Sequence, residues 1–141
     1  MTVKLMVFLK RKQGLSPEEF RDRYENGHSR IGMRMLGHLW KEYRRNYLLP
    51  ANSFAKAEGA PLSADEAETE APYDVVTEFV FADRADLEEQ NRIATLPENK
   101  KILSEDEETL FDREQCYAML CEVLEEDLDA ARAAGMLAGA R

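Results

Sequence analysis

The chain predicts an α+β domain in which a four-stranded antiparallel sheet carries helices on one face. Three observations support this. Four stretches have the apolar patterning of strands, and two longer stretches have helical punctuation. They follow one another as strand, helix, strand, strand, helix, strand. The length, 141 residues, is that of one ordinary domain, with little room for a second. At this size about 70% of the chain's surface can be buried. A hydrophobic fraction of 44% supplies the core this requires.

The first strand is expected from Val3 to Lys10. Val3, Leu5, Val7 and Leu9 fall on one face, and Met6 and Phe8 on the other. Apolar residues on both faces imply burial on both sides. Gln13-Gly14 makes a turn, and Ser16-Pro17-Glu18-Glu19 opens a helix. Ser16 can cap it, Pro17 suits the first helical position, and Glu19 completes a capping box. The helix is expected to end near Ser29, with Gly32 and Gly37 punctuating the stretch after it. Phe20, Tyr24 and His28 follow at four-residue steps and share one stripe.

A second strand, rich in Trp, Tyr and Leu, is expected from Leu39 to Leu49, before Pro50. Tyr43, Arg45 and Tyr47 share one of its faces; Glu42, Arg44 and Asn46 share the other. Residues 51–72 are acidic and nearly free of large apolar side chains, so a long loop or lid is expected there. The third strand, YDVVTEFVFA, runs from Tyr73 to Ala82. Asp83 can cap the helix that follows. Pro97 interrupts it, and a second helical piece is expected from Glu98 to Phe111. The fourth strand is placed at Cys116 to Leu124. Residues 1–124 thus form the domain, and 125–141 a short helix or a tail.

This element order is the split β-α-β arrangement called ferredoxin-like. Helices on one face leave the other uncovered. An uncovered apolar sheet needs a partner, so a homodimer through facing sheets, forming a dimeric α/β barrel, is expected.

Charge excludes several function classes. Net charge is -9, which disfavours nucleic acid and anionic membrane as partners. Residues 1–49 nevertheless carry eleven basic and five acidic side chains. Arg44 and Arg45 in that basic third can line a pocket for an acidic or phenolate ligand. The apolar run Leu5–Leu9 is too short for a signal-peptide core or a membrane span, and a cytoplasmic location is expected. Cys116 and Cys121 lie five apart in an expected strand and point to opposite faces, a poor disulfide geometry. No CxxC is present and the only histidines are His28 and His38, so no metal site is expected. Phosphate-loop, dinucleotide and nucleophile-elbow signatures are absent.

The segments YENGHSRIG, YRRNYLLP and EDEETLFDR resemble the EthD-domain proteins. The similarity spans roughly residues 3–124. It is carried by the helix with its histidine, by Tyr43, Arg45, Asn46 and Tyr47, and by Asp106, Glu107, Phe111 and Asp112. Many members have a proline two residues after the histidine, where this chain has Arg30. The resemblance implies membership of the dimeric α/β-barrel superfamily. It implies a ligand held between sheet and helices. It also implies a link to ether and aromatic degradation, or to polyketide tailoring by decarboxylation or dehydration.

His28 is the main candidate for chemistry. Placed at the C-terminal end of its helix, it would be favoured as imidazolium by the helix dipole. An imidazole titrates near neutral pH and can take or give a proton without heavy tuning. Tyr24 lies one turn back and points the same way. Tyr43 and Tyr47 share a strand face about 13 Å apart and can donate to an oxygen gaining negative charge. They are equally suited to cross-strand aromatic packing. Arg45 can hold a carboxylate or sit in a surface ion pair. Glu78 lies between Val76 and Val80 on its strand face; buried there, it would act as a base. Trp40 and Phe79 would form an apolar wall.

Three readings follow. The first is a cofactor-free homodimeric enzyme of lyase or isomerase type. It would decarboxylate, dehydrate or cyclise an aromatic or polyketide-like substrate, with His28, Tyr43 and Tyr47 catalytic. Tyr24, Arg45, Glu78, Trp40 and Phe79 would bind the substrate. The second is a monooxygenase, either cofactor-free or with haem held by His28. The third is a non-catalytic accessory or ligand-binding protein of a catabolic pathway.

Overall fold

Four strands form one antiparallel sheet in the computed structural model, which describes residues 2–55 and 59–139. They are β1 (Val3–Leu9), β2 (Trp40–Tyr47), β3 (Val75–Phe81) and β4 (Tyr117–Cys121). Their order across the sheet is β2-β3-β1-β4, and all three pairings are antiparallel. The expected ferredoxin-like α+β fold is therefore present. β3 and β1 are central, and β3 has the most buried strand pattern. Register places Tyr43 beside Phe79, Phe79 beside Leu5, and Leu5 beside Leu120. These four side chains form a row on the helix-covered face, because direct partners share a face.

The first helical run is longer than the spacing predicts. α1 (Pro17–Arg23) opens with the expected box: Ser16 Oγ accepts from Glu19 N at 3.1 Å, and Glu19 Oε1 accepts from Ser16 N. The chain then passes without a break through a π-helical segment, Tyr24–His28, into α2 (Ser29–Leu36). Gly32 does not end the helix. A glycine costs a helix interior only about 1 kcal/mol, and tertiary packing overrides that. His28 consequently sits inside a continuous helical run, so a helix C-terminus does not act on it.

In the π segment the Ser29 amide reaches back to Tyr24 O, one residue further than an α-helix would. Gly27 lies there with a negative φ, and a Cβ added to it would meet nothing within 4 Å. Gly27→Ala is accordingly expected to stabilise the fold by about 0.5–1 kcal/mol. Calorimetry should show the melting temperature rising by about 2 °C.

The second helical layer is α3 (Arg84–Ala94), capped by Asp83, and α4 (Pro97–Leu110), opened by Pro97. The core cluster joins Leu9, Val75, Phe20, Tyr24, Leu110 and Phe111 between sheet and helices. Within it the ring centroids of Phe20, Tyr24 and Phe111 lie 5.8–6.0 Å apart, within aromatic contact.

The opposite sheet face is less apolar than the alternation suggests. Met6, Phe8, Val76, Val80, Tyr117 and Met119 lie on it. A row of charge crosses it: Lys4 to Glu78 at 3.4 Å, Arg44 to Glu78 at 3.8 Å, and Arg44 to Glu42 at 3.0 Å.

Residues 51–72 leave the sheet after β2 and return before β3. Ala51 and Thr69 pair by backbone hydrogen bonds at the neck, and Ala64–Glu66 form a 3-10 turn. Asn52 Oδ1 accepts from Glu68 N at 2.9 Å and reinforces the neck. Residues 56–58 of this loop and 140–141 of the C-terminal segment lie outside the described residues. After β4 the chain forms a short helix, α5 (Leu128–Ala133), capped by Asp127, with Ala131 buried. Among the described residues, no helix is long and apolar enough to cross a membrane.

Candidate active site

The stripe of the first helical run that faces the sheet carries Tyr24, His28, Gly32 and Leu36 at four-residue steps. All four line a cavity of about 360 Å³ between sheet and helices. Leu5, Val7 and Phe79 form its floor, and Trp40 and Tyr43 its wall. The π segment supplies the extra residue that keeps Tyr24 and His28 stacked, ring centroids 5.9 Å apart, on this stripe.

His28 is held on three sides. Its Nδ1 lies 2.7 Å from Asp106 Oδ2 on α4. Phe111 packs edge-on at 5.2 Å, and Tyr24 stacks beneath it. A carboxylate can only accept, so Nδ1 carries a proton, and in the neutral imidazole the lone pair is on Nε2. Nε2 makes no hydrogen bond among the described residues. No buried side-chain nitrogen or oxygen among them lacks a partner, so Nε2 retains access to solvent space. The imidazole side chain is 18% exposed. This is the arrangement of a general base oriented by a carboxylate.

The tyrosines divide by environment. Tyr24 is buried, and its hydroxyl shares a 2.6 Å hydrogen bond with Thr77 Oγ1 on β3. Burial pushes its phenol well above the ordinary tyrosine range, so it stays neutral and braces the helix. Tyr43 lines the cavity, its hydroxyl 2.8 Å from the buried Ser29 Oγ. Its ring lies 4.6 Å from Trp40 and 5.1 Å from Phe79.

Tyr47 is elsewhere. It donates to Glu25 Oε2 at 2.6 Å and does not line the His28 cavity. Arg45 grips the same carboxylate through two hydrogen bonds of 3.0 and 2.6 Å. The Arg45 guanidinium, then the Tyr47 hydroxyl, hold Glu25 down at about 2 against the opposing effect of burial. In turn, hydrogen bonding to Glu25 raises Arg45, while burial and then Glu25 raise Tyr47. The guanidinium also covers the Tyr43 ring at 4.5 Å. This cluster ties β2 to the helix. Its polar groups are spent on one another.

Glu78 does not carry the role of a base buried among apolar neighbours. β-alternation puts it on the opposite sheet face, where Lys4 and Arg44 pair with it. The described residues of the 51–72 loop do not border the His28 cavity. Glu70 and Ala71 among them border a second cavity, near Arg11, Tyr47 and Leu49.

The structure therefore gathers His28, Tyr24, Tyr43, Trp40 and Phe79 around one cavity. Asp106, Ser29, Gln90 and Glu25 are the polar residues that spacing did not assign. Asp106 is 78 residues from His28, and Glu25 is 20 from Arg45, beyond any local periodicity. Cys116 borders the cavity as a neutral thiol. Burial pushes it up, and its sulfur lies 3.3 Å from the Lys10 amide. His38 is exposed. No group of three or more potential metal ligands occurs among the described residues.

Solved structures of similar fold include bacterial proteins. An EthD family protein of Bacillus halodurans C-125 is 16% identical over 88% of this chain and 100% of its own, with a TM-score of 0.57. An EthD-like protein of Ralstonia eutropha JMP134 is 17% identical over 91% and 96%, at 0.58. A dimeric ferredoxin-like protein of unknown function from Thermobifida fusca YX is 10% identical over 87% and 92%, at 0.51. At these identities the likeness shows the fold alone. No functionally curated protein matches the sequence. The model of the EthD domain matches residues 12–114, a span that contains His28, Tyr43, Phe79 and Asp106; the chain belongs to the EthD domain family.

Proposed function

We propose that the protein is an enzyme that moves a proton on an aromatic or polyketide-like substrate. His28 serves as the general acid/base, and the net reaction is of lyase or isomerase type. The observation that carries this is the Asp106–His28 pair, which presents His28 on the wall of a largely apolar cavity whose other polar lining includes Gln90, Glu107 and Arg113. Asp106 holds the imidazole in the tautomer whose Nε2 can accept a proton, and steadies the imidazolium that results. Ser29 can donate to Tyr43, which frees the Tyr43 O–H for a substrate oxygen as charge builds on it. Apolar walls exclude water and strengthen both contacts. Proton abstraction beside a carbonyl, followed by ring closure or by loss of a protonated hydroxyl as water, uses only these side chains; so does loss of carbon dioxide from a β-keto acid, with His28 returning a proton to the enolate that remains. The proposed reaction is cofactor-free.

The experiment is incubation in D₂O with a panel of aromatic ketones and polyketide-like β-keto acids, read by mass spectrometry. Enzyme-dependent deuterium uptake, or loss of carbon dioxide or water, is expected and should depend on His28. A panel member that binds in the cavity without any exchange or turnover would refute the reading in favour of a non-catalytic binding protein.

The same reading includes a homodimer. Similar folds are described as dimeric in Thermobifida fusca YX and in Jannaschia sp. CCS1. The sheet face opposite the helices offers Met6, Phe8, Tyr117 and Met119 for the contact. Native mass spectrometry should give about 32 kDa, twice the 16.2 kDa chain. A chain that remains at its single mass at micromolar concentration would remove the dimer.

A further inference from the structure

Between His28 and Leu36 the cavity stripe carries a glycine. Four helical residues advance about 6 Å, so Gly32 leaves one turn of wall without a side chain. A Cβ placed there would lie 3.6 Å from the Trp40 ring. That is ordinary van der Waals contact, so the absent side chain lets the Trp40 ring pack close to the helix backbone, one turn from His28. Trp40 itself stacks among Tyr43 and Phe79 at 4.6 and 4.8 Å. Trp40, Tyr43 and Phe79 together form an aromatic wall of the cavity.

One polar group on that wall is unspent. Gln90, on α3, lines the cavity, and its Oε1 lies 2.6 Å from Trp40 Nε1. An indole N–H can only donate, so the amide oxygen must be the atom that faces it. The amide nitrogen is thereby committed to donate elsewhere. Among the described residues it has no hydrogen-bond partner, and since none of their buried side-chain nitrogens lacks one, it keeps access to solvent space.

We infer that Gln90 is a specificity-determining residue: its Nε2 donates to a carbonyl oxygen of an aromatic ketone or keto acid whose ring lies in the cavity against the Trp40–Tyr43–Phe79 wall. The inference rests on the proton-transfer reading for its biological sense, since it places a hydrogen-bonded carbonyl in the same cavity as His28. The recognition itself needs no turnover. Trp40 both walls the cavity and, through its own N–H, fixes which way the amide points.

The test uses the full-length protein labelled with ¹⁵N. Trp40 is the sole tryptophan, so a single indole N–H cross-peak reports on this contact. The probes are acetophenone and isopropylbenzene, the same shape with and without the oxygen. Both are expected to move the indole peak, with acetophenone about 10-fold tighter, the contribution of one satisfied hydrogen bond. Gln90→Glu keeps an acceptor for Trp40 but replaces the donor by a carboxylate, and should abolish or reverse that preference. Gly32→Leu adds a side chain on the cavity stripe against Trp40, fills part of the cavity, and should remove binding of both probes. Equal affinities in the wild type overturn the inference, as does an unchanged preference in Gln90→Glu. An indole peak that neither probe moves also overturns it. The comparison in the wild-type protein decides the matter even if a variant fails to fold. A protein that shows the preference yet catalyses nothing would sink the proton-transfer reading and leave this one standing.

Discussion

Replacing His28 by alanine is expected to lower turnover by about 10²-fold or more while ligand binding in the cavity persists. The imidazole contributes little of the apolar wall, so the loss should fall on kcat with KM nearly unchanged. Asp106→Asn is the sharper variant. An asparagine can offer its N–H to Nδ1, which moves the imidazole proton to Nε2 and removes the base. Its cost should be about 10-fold or more, without loss of fold, because Asp106 lies near the surface with 31% of its side chain exposed. A solvent-exchange assay on one ketone substrate separates the outcomes. If His28→Ala exchanges deuterium as fast as the wild type, the dyad is structural and the proposed mechanism falls.

The second large effect is on stability. Glu25→Ala is expected to destabilise the fold by about 2 kcal/mol, because it leaves the Arg45 guanidinium and the Tyr47 hydroxyl without their shared partner. A carboxylate held from 4.5 down to about 2 corresponds to at most about 3.4 kcal/mol. Side chains that remain 28% and 20% exposed screen part of that. The sign with pH follows from the lowered value. The stabilisation is present in full above about 4.5 and is lost as pH falls towards about 2. Urea unfolding at pH 7 and at pH 3 measures it. Glu25→Gln should be weaker than the wild type at pH 7, and the gap should narrow at pH 3. A gap that stays constant across that range would show that the pair contributes nothing through its charge.

How far the sequence reaches is visible in the first helical run. Ser16, Pro17 and Glu19 announce its start correctly, since capping is chemistry between near neighbours. Its end is misjudged. Gly32 reads as punctuation, yet the helix continues because Leu36 and Ser29 are buried by contacts made from afar. The dipole argument for His28 fails with it. What positions the imidazole is Asp106 on another helix, and that partner is invisible to any periodicity.

The sheet shows the same division. Alternation correctly puts Tyr43, Arg45 and Tyr47 on one face, because side-chain direction in a strand has a period of two. It cannot say which of them meets the cavity. Glu25 decides that by taking Arg45 and Tyr47 for itself and leaving Tyr43 to the pocket. Glu78 looked like a buried base from its neighbours in sequence, but its neighbours in space are Lys4 and Arg44.

The sequence by itself determined the fold class, the order of its elements, the helix starts and the stripe from Tyr24 to His28. These follow from local sterics, capping and periodicity, which act over a few residues. Only the tertiary structure decided which polar groups are spent and which are free. The Asp106–His28 pair, the Glu25–Arg45–Tyr47 cluster and the Gln90–Trp40 contact join residues 20 to 78 apart. Hydrogen bonds across such distances depend on how the layers pack, and no local pattern in the chain encodes them.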